Sequence, residues 1–186
     1  MNRISALLLL GLLAARPLAG QTVIRPAPPL DSARAGLRDA LLVLRDTLNT
    51  IDGAAARLQR DFRAASEPSL VSRARIMYQA CARSGRTVPP TRQVVERFRL
   101  NDPAKAKRRE DLLGSMDRLK EALVRCETEF AAMSRPDQGE RVRGYGNDRA
   151  TRVQSAIRGY ELVLRDFLGV MGIRVQPLGA GPRPTS

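Results

Sequence analysis

Leu37, Leu41, Leu44, Leu48, Ile51, Ala55, Leu58, Phe62 and Ala65 follow one another at intervals of four and three residues. A 3.5-residue apolar period places such residues in one stripe along a helix and lets that stripe seat against a partner helix. The spacing predicts a first helix running to Ala65, with Asp31 or Ser32 placed to cap its start. Gly53 is its weak point, costing roughly 1 kcal/mol relative to alanine. A turn at Ser66-Glu67-Pro68-Ser69 separates it from a second stripe, Leu70, Ala74, Met77 and Cys81.

The second stripe stops at Ser84-Gly85-Arg86-Thr87-Val88-Pro89-Pro90, where the prolines lack amide hydrogens and crowd the preceding turn, so a break is expected near residues 85–90. A short piece with Val94, Val95 and Phe98 follows. Asn101-Asp102-Pro103 then reads as a helix start, a capping side chain followed by proline in the first turn. The third stripe is Leu112, Met116, Leu119, Leu123, Cys126, Phe130 and Met133. Residues 134–147 read as a polar loop with three glycines, and Asn147 or Asp148 as the cap of a fourth helix. Its stripe is Ala150, Val153, Ile157, Tyr160, Leu164, Phe167 and Met171. Four such segments define an all-α fold, an antiparallel up-down-up-down four-helix bundle with coiled-coil-like seams and a second helix broken near 85–90.

Apolar residues outside the stripes extend this picture at one end. Leu42 and Val43 on the first helix are expected near Leu162, Val163 and Leu168 on the fourth, packed together; the alternative is an exposed apolar groove for a partner.

The two cysteines, Cys81 and Cys126, both fall in stripes and so face one core. There is no CxxC pair and no histidine to complete a zinc site, so the expectation is a single structural disulfide. An unbroken helix from 68 to 100, turning at 101–102, would set residue 81 opposite residue 122, four short of Cys126. Partly extended backbone at 85–90 would lift Cys81 by up to about 10 Å and close that gap.

The amino terminus changes the compartment. Residues 1–20 combine Arg3, an apolar run from Ala6 to Ala15 and the small residues Ala19 and Gly20, the pattern of a secretory signal. That run would reach only ~15 Å as a helix, about half a hydrocarbon core. Cleavage is expected after Gly20, or after Ala19 as second choice. The boundary resembles a lipoprotein box with Gln21 where the lipidated cysteine would stand, so a soluble secreted or periplasmic product without a transmembrane anchor is expected. Residues 21–30, with three prolines, read as an extended lead-in, 31–175 as one bundle domain and 176–186 as a flexible tail.

Composition leaves little room for chemistry. The formal charge of +13 becomes +11 once Arg3 and Arg16 leave with the signal, and only Lys105, Lys107 and Lys120 are lysines. The stripes carry no histidine or carboxylate that could hold a core cofactor, so none is implied. No nucleophile stands in a recognisable turn, and the GxG of Arg143-Gly144-Tyr145-Gly146-Asn147 follows no strand and lacks a phosphate-loop lysine. The chain is therefore read as non-enzymatic.

Two basic clusters remain. Lys105, Lys107, Arg108 and Arg109 occupy the first turns of the third helix, where positive charge opposes the helix dipole. Arg135, Arg141, Arg143, Arg149 and Arg152 surround the glycine-rich stretch. A contact with an anionic partner is assigned to Lys105, Lys107, Arg108, Arg109, Arg141 and Arg143; an arginine-rich composition offers the competing explanation. Nucleic acid is the least favoured partner, because only Tyr145 supplies an aromatic platform within a basic stretch. The expected function is an interaction protein of the cell envelope, meeting an unknown protein or an anionic envelope component. Its alternatives are a periplasmic holdase-type chaperone and, more distantly, an enzyme of unknown class; the stripes leave the oligomeric state open.

Overall fold

The computed structural model describes residues 30–60 and 62–173. The stretch read as a secretory signal, the lead-in up to residue 29 and the tail at 176–186 lie outside the described residues. Four helices follow in order: α1 (Leu30–Gln59), α2 (Glu67–Arg97), α3 (Pro103–Met133) and α4 (Gly139–Met171). Connections of a few residues force consecutive helices to run antiparallel. Each packs against the next, α4 closes back on α1 and touches α2 across the centre, and α1 and α3 do not approach one another. The result is the antiparallel four-helix bundle that the stripes predict. Every stripe residue from Leu37 to Leu58, with Leu70 to Cys81, Leu112 to Met133 and Ala150 to Met171, lies in the common core.

The second helix is not broken. Glu67–Arg97 is one helix with Pro89 and Pro90 inside it. Its core positions are Leu70, Ala74, Met77, Cys81, Ser84, Val88, Thr91 and Val95, an uninterrupted four-three spacing in which two positions are polar. Those two hydroxyls are used across the bundle. Ser84 Oγ donates to the Thr47 carbonyl at 2.9 Å. Thr91 Oγ1 donates to Thr87 O at 2.9 Å and approaches Ala40 O at 3.4 Å. A carbonyl has two lone pairs; that of Thr47 also accepts from Thr50 Oγ1 at 2.6 Å, so Ser84 joins a shared acceptor. The carbonyls that Pro89 and Pro90 leave without a helical donor belong to Gly85 and Arg86, on the partly and fully exposed side, where water can reach them. With Val88 and Val95 buried on the opposite side, packing holds the helix through the proline pair.

Cys81 and Cys126 are joined, with their Cα atoms 6.0 Å apart. The register that unites them does not come from residues 85–90. From Pro103 to Cys126 is 23 residues, whereas from Cys81 to Arg97 is 16, a difference of about 10 Å of helix. The offset is made in the connection 98–102. Phe98 and Asp102 are both extended, carrying the chain past the end of α2 before α3 turns back. Arg109, six residues into α3, is accordingly the residue beside Phe98, donating from Nη1 to its carbonyl at 2.9 Å. Farther up the same pair of helices Arg92 bridges to Asp117 at 2.8 Å.

Helix ends also depart from the sequence pattern. Leu30 opens α1, so Asp31 and Ser32 lie inside the helix rather than capping it. At its other end α1 stops at Gln59, and Phe62 and Ala65 pack against the core from the connection rather than from the stripe. Ser66 caps α2 without a side-chain hydrogen bond and Glu67 and Pro68 form its first turn, one turn's material that reads as a loop in sequence. Asp102 caps α3 as expected, accepting from the amides of Ala104 and Lys105. The largest change is in α4, which begins at Gly139 rather than at Asn147 or Asp148. Its glycines serve close packing. A Cβ on Gly139 would fall 2.3 Å from Glu67 Cβ, and one on Gly146 would meet Val142 at 3.0 Å with Leu58 and Phe62 just beyond. Gly172, at φ 66°, ends α4 in the left-handed conformation and donates to Leu168 and Gly169.

The expected packing of Leu42 and Val43 with Leu162, Val163 and Leu168 forms only in part. Leu168 is buried and Val163 half-buried, while Val43 and Leu162 are 56% and 61% exposed.

Candidate anion-binding surface

The six basic residues singled out by sequence do not form one surface. α3 and α4 run antiparallel, so Lys105, Lys107, Arg108 and Arg109 at the start of α3 lie at the opposite end of the bundle from Arg141 and Arg143 at the start of α4.

In the α3 cluster the two arginines are engaged. Arg109 bridges to Glu110 at 2.8 Å besides holding the Phe98 carbonyl, and Arg108 lies 3.8 Å from Asp111. Lys105 and Lys107 have no acidic partner among the described residues. No acidic residue stands in the first turn of α3, and Asp102, its cap, is the negative charge at that helix end.

In the α4 cluster Arg143 is committed to the fold. It donates to the carbonyls of Arg63 at 3.1 Å and Ala65 at 3.0 Å and bridges to Glu140, which ties the α1–α2 connection to α4. Arg152 pairs with Asp148. Arg141 is exposed and makes no such contact. One turn apart on the same side of α4 stand Arg141, Tyr145 and Arg149, facing Glu129 and Met133 of α3 across a cleft of about 620 Å³. Arg149 and Glu129 close its inner wall at 2.9 Å, both about a quarter exposed. Arg149 Nε is buried with no hydrogen-bond partner among the described residues. Tyr145, 58% exposed, supplies the cleft's aromatic surface. Sequence reading named Arg149 and Tyr145 but did not bring Glu129 to them; only the α3–α4 register does that.

Tyr160 carries the other buried side-chain polar atom without a partner among the described residues. Its hydroxyl is buried without a hydrogen bond, and burial pushes the phenol well above its ordinary pKa, with Glu161 adding to the effect. At Arg92 the hydrogen bond donated to Asp117 outweighs desolvation and raises the pKa. The carboxylates near one another in sequence serve ion pairs: Asp111 with Arg108, Asp117 with Arg92 and Glu129 with Arg149. No group of three or more metal-ligating side chains is gathered among the described residues. Nor is any described helix long and apolar enough to cross a membrane. The exposed large apolar side chains, Val43, Val124, Tyr145, Leu162 and Val170, are divided among α1, α3 and α4.

The chain matches no family model, no curated protein and no solved structure. Its functional reading therefore rests on its own residues and their arrangement.

Proposed function

We propose that this chain is an exported, non-enzymatic helical-bundle interaction protein of the cell envelope, meeting an anionic partner through basic side chains at its helix starts. The observation that carries the proposal is the Cys81–Cys126 bond inside the core. A disulfide of this kind persists in oxidising compartments, which agrees with the secretory pattern of residues 1–20. The second support is electrostatic. Lys105 and Lys107 are placed where the helix dipole disfavours them, and neither is paired with an acidic side chain among the described residues. An anion brought to that end would relieve both effects.

Two measurements test the reading. Intact-mass analysis of the exported protein is expected to give Gln21 or Gly20 as first residue; retention of Met1 to Ala19 would remove the case for export. Binding to anionic vesicles and to envelope extract is expected to weaken as salt shortens the Debye length from ~10 Å at 0.1 M to ~3 Å at 1 M. Replacing Lys105, Lys107, Arg108 and Arg109 by glutamine should reduce that binding while helicity is kept, since glutamine is a good helix former. Equal binding by the variant and the parent would assign the α3 cluster to solvated surface alone.

A further inference from the structure

We infer that the cleft between the end of α3 and the start of α4 is a binding site for an acidic sugar, a hydroxyl-bearing ring with one carboxylate. The inference deepens the reading above by naming the class of anion, and it rests on that reading. Three features of the cleft specify the ligand. Arg141 is an exposed guanidinium with no acidic partner among the described residues, and its planar fork matches a carboxylate bidentately. Tyr145, one helical turn on, offers an exposed ring with an apolar face and a polar tip, suited to lying against a sugar ring. The Arg149–Glu129 pair presents donors and acceptors side by side at 2.9 Å. Neighbouring hydroxyls, each both donor and acceptor, can bond to both members of such a pair, whereas a simple anion can use only the donors.

Charge sets the rest. Glu129 already neutralises Arg149, so the cleft carries one net positive charge, from Arg141. It is matched to a single carboxylate, and Glu129 would repel a densely charged group such as a phosphate. Arg149 Nε, buried without an acceptor among the described residues, leaves one donor of the pair unsatisfied. A volume of about 620 Å³ lies within the usual range for small-molecule sites, roughly 300–1,000 Å³. One sugar ring fits with room for its neighbours, so a free uronic acid and a residue within an acidic polysaccharide share this recognition.

The test is titration of the isotope-labelled protein with D-glucuronate and with oligogalacturonate, followed by backbone amide resonances. Both probes should shift the resonances of Glu129, Tyr145 and Arg149 in the low millimolar range, ~1–10 mM, typical of a site with few contacts. The oligomer should bind more tightly if the polymer is the source, and equally if the free acid is. D-glucuronamide, which lacks the charge, and acetate, which lacks the ring, should each fail to shift these resonances at the same concentrations. Arg141→Gln and Tyr145→Ala, both at exposed positions, should keep the helical spectrum and weaken glucuronate binding by about tenfold each. Three results would overturn the inference: no movement at the cleft by ~20 mM glucuronate, equal occupancy by acetate or inorganic phosphate, or unchanged affinity in Arg141→Gln. Salt-sensitive vesicle binding that leaves the cleft resonances unmoved would overturn this site while sparing the broader function. Failure of every anion to bind would overturn both.

Discussion

Gly53 and Gly159 sit within helices with open space where a side chain would begin. Neither turn nor close approach requires glycine there, so each carries the entropic cost of glycine without a return. Gly53→Ala and Gly159→Ala should each raise stability by about 0.5–1 kcal/mol in urea unfolding. Gly139→Ala should destabilise, because its new methyl would collide with Glu67. Tyr160 makes a sharper test. Its hydroxyl has no partner, so Tyr160→Phe should be neutral or gain up to about 1 kcal/mol at neutral pH. Its pKa in the folded chain is raised above the ordinary value, which means the unfolded chain releases that proton first as pH climbs. Stability from this group is complete below pH ~10 and is lost above it, at up to ~1.4 kcal/mol per pH unit. Stability measured from pH 8 to 11 should fall more steeply in the parent than in Tyr160→Phe, and parallel curves would contradict the assignment.

Among the elements, α1 and α3 were the most legible, because nearly every core position in them is apolar and the period shows directly. In α2 the same period is present, but Ser84 and Thr91 hold two of its positions and the proline pair stands between them. The hydrogen bond of Ser84 to Thr47 and the approach of Thr91 to Ala40 depend on α1 lying alongside, a fact of packing that one segment's pattern does not contain. The start of α4 was hidden for a related reason. Gly139, Gly144 and Gly146 resemble a loop until the proximity of Glu67, Leu58 and Phe62 shows why glycine is needed at two of them. The Val142-to-Ala150 spacing was the available signal. If packing holds α2 through its prolines against their local preference, restoring an amide should help. Pro90→Ala, at an exposed position, returns a donor to the Arg86 carbonyl and should stabilise by about 2 kcal/mol, net of the added freedom of the unfolded chain. A loss of stability would mean that the helix depends on the ring.

At the scale of the molecule, the bundle and its staple follow from the stripes and the two cysteines, whereas the candidate cleft does not. Glu129 and Arg149 are twenty residues apart in sequence and meet only through the α3–α4 register. The staple closes a segment with a separation of 45 residues, which chain-entropy accounting values at about 4 kcal/mol. Reduction should lower stability by about that amount and leave the helical spectrum of the folded state largely unchanged; an unaltered unfolding midpoint would contradict it. The closed segment has another consequence, for what happens after the backbone is cut. It contains the second half of α2, the extended connection and the first turns of α3, where Lys105 and Lys107 are targets for a trypsin-like protease. A single nick there yields two fragments that still travel as one covalent body. They should run together under non-reducing electrophoresis and separate only after thiol treatment. Clipped at the tip of its α2–α3 hairpin, the molecule would then remain one covalent body.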